Sequence, residues 1–152
     1  MSKHIKTSLD EFNKLNEVRE IFTSLYHGTD LASALNIEKK GVSIKQSSGG
    51  YFGWGFYTTP DYKLAKSNYA DFSDGDEGGA ILEFKLKDTA NILDLRDEKD
   101  WDIWIKYSRQ VSNPEFYKTV TNDGIDGLWD NSFEGVVIYN PKVLELIKIH
   151  KI

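Results

Sequence analysis

The 152-residue chain has no cysteine. That absence excludes a disulfide framework, a thiolate metal site and a cysteine nucleophile. Histidine is scarce too: His4, His27 and His150 are the only three, without metal-ligand spacing, so no metal is expected. No apolar run approaches the ~18 residues of a membrane helix, and the first residues lack the apolar core of a signal peptide. A soluble, cytoplasmic protein without a membrane partner is therefore expected. The net charge of −5 favours solubility and argues against a non-specific coat on nucleic acid. The length suits a single domain over residues 1–152, because domains cluster near ~100–150 residues. A chain of this size buries roughly 68–70% of its unfolded surface and needs no covalent staple.

Present instead is a rich aromatic and glycine content, concentrated at Gly49-Gly50-Tyr51-Phe52-Gly53-Trp54-Gly55. Glycine lets the backbone take positive φ or lie close to a ligand. A short strand, Phe56-Tyr57-Thr58-Thr59, follows, and Thr59 with Pro60 reads as the N-cap and first residue of a helix. Leu64, Ala65, Tyr69 and Phe72 recur at helical spacing. Tyr57 and Tyr69 then face each other across a slot suited to a flat ring, or the glycine hairpin packs its aromatics into a core. The residues alone leave both open.

Ser8 and Glu11 form a capping box ahead of an amphipathic helix over 8–24, with Leu9, Phe12, Leu15, Val18 and Phe22 on one stripe. Residues 24–30 read as a strand ending in a glycine turn, and Asp30 caps a helix that Gly41 stops. Val42 to Ile44 reads as a brief strand, and 71–79 as a solvated acidic loop. Alternation at 80–87 turns Leu82, Phe84 and Leu86 inward. Asn91 to Leu95 is another strand, and Asp97 caps a helix whose Trp101, Trp104, Ile105 and Val111 read as core. A short helix from Asn113-Pro114 to about Val120 follows. Ile125–Trp129, Phe133–Tyr139 and Val143–Ile149 are further strand-like runs. Short strands broken by a few helices, without regular βα alternation, predict an α+β fold of mainly antiparallel sheets.

Three places gather functional groups: Tyr26-His27-Gly28-Thr29, the glycine stretch with Tyr57 and Tyr69, and the run from Phe133 to Pro141. In order, they resemble the His-Tyr-Glu signature of the ADP-ribosyltransferases of the poly(ADP-ribose) polymerase and diphtheria toxin type. Tyr26-His27-Gly28-Thr29 looks like the family's first-strand motif. Gly53-Trp54-Gly55-Phe56-Tyr57 looks like its Gly-x-Gly-aromatic-Tyr, and Lys66-Ser67-Asn68-Tyr69-Ala70 like its helical Lys-Ser-x-x-Tyr. Glu134-Gly135-Val136-Val137-Ile138-Tyr139-Asn140 looks like its glutamate strand. Between Glu134 and Tyr139-Asn140 this chain carries one residue more than the family pattern, so Asp126 and Asp130 stand as alternative carboxylates.

The resemblance implies a split cleft between two mainly antiparallel sheets, with NAD⁺ as co-substrate. The bond from nicotinamide to ribose breaks through an oxocarbenium-like state, as in glycoside hydrolysis. It implies Glu134 on the ribose 2′-hydroxyl, stabilising the charge as it grows. Tyr69 stacks on the cationic nicotinamide ring and Tyr57 lines the opposite wall. Gly28 holds the carboxamide through its backbone N–H and C=O, His27 bonds a ribose hydroxyl, and Thr29 supports the adenosine half. It further implies transfer of a single ADP-ribose to a macromolecular acceptor, protein or nucleic acid, by a compact bacterial toxin- or effector-like member with a cognate antitoxin or immunity protein. Arginine-modifying members of the family often carry Glu or Gln two residues before the glutamate, where this chain has Ser132, so the resemblance argues against arginine as the acceptor.

Overall fold

A computed structural model describes residues 24–44, 49–67, 78–130 and 135–152. The expected helix over 8–24 lies outside the described residues, as do Tyr69 and Glu134. In chain order the strands are β1 (Leu25–Asp30), β2 (Gly49–Gly50), β3 (Gly53–Trp54), β4 (Phe56–Thr58), β5 (Gly79–Leu86), β6 (Ile92–Asp94), β7 (Gly127–Asp130), β8 (Gly135–Ile138) and β9 (Leu144–Lys151). The helices are α1 (Leu31–Lys40), α2 (Tyr62–Ala65), α3 (Glu98–Ser108) and α4 (Phe116–Asn122).

The class is α+β. One antiparallel sheet has the order β1-β5-β9, a second β4-β8-β7-β6, and β2-β3 form a small ribbon. All pairings are antiparallel except β6 with β7. Between the two larger sheets lies one core of Leu25, Ala34, Phe56, Leu82, Phe84, Trp129, Val136 and Ile138. The second sheet carries another core of Phe52, Trp104, Phe116, Val120, Leu128, Val137 and Tyr139, supplied in part by α3 and α4. Strand β8 serves both, so all four of its residues are buried. Alternation explains this: Val136 and Ile138 face one core and Val137 the other. Each such side chain contributes about 1.5–3 kcal/mol of burial.

The expected capping of α1 is present: the Asp30 carboxylate accepts the Ser33 amide at 2.7 Å, and Gly41 closes the helix at φ 83°. Asp97 caps α3 through the Lys99 amide. Four expectations are corrected. Gly28 is not in a turn, because β1 runs through it to Asp30. Asp61, not Thr59, caps α2, accepting the Lys63 and Leu64 amides; Thr59 instead pairs with Tyr26. Val42 to Ile44 form no strand. Of the α3 residues read as core only Trp104 is buried, while Trp101 and Ile105 are each 46% exposed on the flank of the helix.

Strand β9 has a phase change. Leu82 faces Ile149 and Phe84 faces Leu146, with the register slipping between Glu83 and Phe84. The slip leaves Ile147 as an extra, exposed residue and lets both Leu146 and Ile149 reach the core. His150 then meets Glu83, its Nε2 2.8 Å from a carboxylate oxygen, and Ser24 donates to the other oxygen at 3.1 Å. The Glu83 carboxyl is held below its ordinary pKa, mainly by the bond from His150.

Candidate functional site

The two large sheets share a single rung where β1 meets the end of β4. Tyr26 N–H donates to the Thr59 carbonyl at 2.7 Å, and Thr59 N–H returns a bond of 2.9 Å to the Tyr26 carbonyl. In an antiparallel ladder the next such doubly bonded pair lies two residues on along each strand, which is Gly28 opposite Tyr57. That pair does not form: the bridge between the strands is confined to Tyr26 and Thr59. The strands have parted. Because hydrogen-bonding direction alternates along a strand, the N–H and C=O of Gly28 point to the same edge as those of Tyr26. They therefore face the gap, while His27 and Thr29 direct theirs to β5, opposite Leu82 and Ala80.

His27 occupies the gap from one side. Its Nδ1 lies 2.7 Å from the Tyr57 carbonyl oxygen, which can only accept, so Nδ1 carries the proton. Its ring packs on Phe56 at 4.2 Å between centroids and 30° between planes, and Phe56 is braced edge-on by Phe84. Burial lowers the imidazole pKa, outweighing the opposite effect of the bond to Tyr57. The ring is thus neutral at pH 7, with Nε2 left as its hydrogen-bond acceptor.

Gly28 is buried, in the extended backbone of β1. The glycines with positive φ among the described residues are Gly41, Gly53, Gly78 and Gly124. Conformational freedom is therefore not what a glycine supplies at position 28. Thr29 contributes a hydrogen bond to Asp30, whose carboxyl pKa is lowered chiefly by the Ser33 amide. Its hydroxyl is thus engaged at the start of α1.

Tyr57 serves the glycine hairpin. Its hydroxyl donates to the Gly53 carbonyl at 2.7 Å and accepts from the Phe52 amide at 3.2 Å. Burial raises its pKa. The Phe52 carbonyl in turn accepts the buried Tyr139 hydroxyl at 2.6 Å. Three glycines permit this tight fold, and a Cβ on Gly50 would run into the hydroxyl end of Tyr57. Gly53 has φ 84°, and a Cβ on Gly55 would come within 2.6 Å of the Val137 side chain. The Tyr57 ring packs with the second core, on the face of β4 opposite Phe56 and His27. The expectation of a hairpin packing aromatics into a core fits Tyr57 better than a wall of the slot. The turn displays Tyr51, which is 87% exposed.

The two alternative carboxylates are placed differently. Asp126 accepts from the Asn91 amide at 2.8 Å with one oxygen and from the Asn140 side chain at 2.9 Å with the other. It ties the start of β7 to the ends of its neighbours. Asp130 lies opposite Gly135 and has the parity of Leu128, on the second-core face. Neither shares the face on which His27 meets Phe56. A further charged cluster, unforeseen in the sequence, joins β6 to α3: Arg96 forks onto Asp94 at 3.0 and 2.8 Å, and its guanidinium lies 3.8 Å over the Trp129 ring. The buried Asp100 carboxylate accepts the Asp94 amide.

No protein-family model matches the chain, and no curated protein matches it. The His27 bond to Tyr57 spans thirty residues of chain, and no local sequence signal announces it.

Proposed function

We propose that this protein is an NAD⁺-dependent mono-ADP-ribosyltransferase with the fold of that family, acting on a macromolecular acceptor, protein or nucleic acid. One observation carries the reading: Gly28 turns a donor and an acceptor side by side into the gap between β1 and β4, next to a neutral imidazole. A carboxamide needs that pair of partners. The absence of a Cβ at Gly28 lets a planar ring approach the backbone. His27 Nε2 then accepts from a ribose hydroxyl, because Nδ1 is committed to Tyr57.

Cleavage of the bond from nicotinamide to ribose builds positive charge on the sugar, and a carboxylate on the 2′-hydroxyl stabilises that charge as it grows. We assign this role to Glu134. It has the sequence parity of Val136 and Ile138, which face the core containing Phe56. Asp126 has both oxygens in structural bonds and Asp130 lies on the other face. The departing nicotinamide takes the bonding pair, and the acceptor nucleophile, losing a proton, forms the new bond to the ribose carbon. Tyr69 supplies the stack on the nicotinamide ring.

The test is incubation with NAD⁺, followed by measurement of nicotinamide release and of label transfer into lysate macromolecules. Glu134→Gln is expected to cut turnover by about 10²–10³-fold, the usual effect of removing one transition-state charge stabiliser, with melting unchanged. Near-wild-type turnover would move the carboxylate elsewhere. The extra residue between Glu134 and Tyr139 supports a second reading, an inactive module of the same fold that binds NAD⁺ without releasing nicotinamide.

A further inference from the structure

We infer that His27 is a positioning residue that keeps the gap between β1 and β4 open, a role separate from any contact it makes with a sugar. The register is the basis. Tyr26 and Thr59 form a doubly bonded pair, so a continuing ladder pairs Gly28 with Tyr57 next. The acceptor for that rung, the Tyr57 carbonyl, is instead filled by His27 Nδ1–H at 2.7 Å. A backbone carbonyl in a half-buried strand needs a partner, and the imidazole supplies one from the side of the sheet. The ring cannot swing away without leaving Phe56, on which it stacks at 4.2 Å. With the Tyr57 carbonyl occupied, Gly28 can close onto β4 only by displacing the imidazole, and its N–H and C=O remain directed into the gap. Removing the imidazole donor leaves Gly28 N–H as the nearest group in register to satisfy Tyr57. The rung then closes and caps both groups that face the gap.

The spacer stands on strand geometry alone; its consequence for ligand binding rests on the NAD⁺ reading. Amide hydrogen exchange of the ligand-free ¹⁵N-labelled protein tests the first. In the wild type, Gly28 is expected to exchange at least tenfold faster than His27 and Thr29, whose amides point to β5. In His27→Leu, of similar bulk but without a ring N–H, Gly28 slows at least tenfold relative to Leu82. In His27→Gln, which restores an N–H donor, it stays fast. Equal protection of Gly28 and Thr29 in the wild type overturns the inference without any variant, and so does unchanged Gly28 exchange in folded His27→Leu.

Titration with nicotinamide alone separates the two roles, because nicotinamide has no ribose. The spacer predicts at least tenfold weaker binding to His27→Leu and retained binding to His27→Gln. A residue that only contacts sugar predicts no change in either, which would overturn the link to the ligand. A wild-type protein that binds no nicotinamide contradicts the proposed function, while the exchange result still decides the spacer.

Discussion

Tyr57→Phe removes a single oxygen, and that oxygen closes the glycine hairpin. It donates to the Gly53 carbonyl at 2.7 Å and accepts from the Phe52 amide at 3.2 Å. Each hydrogen bond of this kind contributes about 0.5–1.5 kcal/mol net. The site is half-buried, so water compensates part of the loss, and the pair is worth about 1–2 kcal/mol. For a chain of this length 1 kcal/mol shifts melting by about 2–4 °C, so Tyr57→Phe is expected to melt about 2–8 °C lower. The phenyl ring keeps its place against the second core, and the Kd for NAD⁺ is expected to stay within about twofold, far below the 1.4 kcal/mol of a tenfold change. Calorimetric melting and NAD⁺ titration of the same two preparations read both. Unchanged melting together with weakened NAD⁺ binding would refute the reasoning, because the hydroxyl would then serve the ligand and not the hairpin.

Tyr69→Ala is expected to raise the Kd for NAD⁺ roughly 5- to 150-fold, since a ring stack is worth ~1–3 kcal/mol. Tyr69→Phe keeps the ring and is expected to be far milder; equal damage from Phe and Ala would shift the role to the hydroxyl. Acid should destabilise the fold in two stages, followed by the urea midpoint as pH falls. His27 is held below its ordinary pKa by burial, so the unfolded chain takes up that proton first. Its contribution is full above about pH 6.5 and is lost as pH falls from there to the folded value. Glu83 is held low mainly by His150, and its contribution is present above about pH 4.3 and lost as pH falls through its folded value. A midpoint that rises between pH 6.5 and pH 5, or an unchanged lower stage in Glu83→Gln, would contradict these assignments.

Local rules read well where one residue decides the matter. Asp30 and Gly41 bracket α1, Asp97 caps α3, and the alternation of Leu82, Phe84 and Leu86 marks β5. The antiparallel α+β class was legible for the same reason. Reading failed where partners lie far apart in the chain. Nothing near Trp101 shows that of the two α3 tryptophans only Trp104 turns fully inward, because that depends on Phe52 and Phe116, which pack on Trp104 from elsewhere. The run from Val143 to Ile149 read as a plain strand; the slip within it appears only once Leu146 and Ile149 share a core. Thr59 followed by Pro60 looked like a helix cap, yet the rung with Tyr26 claims Thr59 for the sheet. In the candidate site, the motif at His27 and Gly28 lies on β1. Its chemistry depends on the parting of β1 from β4, which is a matter of register between distant segments. Tyr57, which the resemblance placed on a slot wall, has its hydroxyl held by its own hairpin four and five residues upstream.

Calorimetric titration of NAD⁺ into the wild type and Gly28→Val tests the central claim most directly. Position 28 lies in extended backbone, which valine adopts readily, and because the position is buried the melting of the variant is measured alongside. The account predicts saturable NAD⁺ binding by the wild type and no detectable heat from a Gly28→Val protein with native melting. Absence of binding by the wild type, or normal binding by folded Gly28→Val, would contradict it.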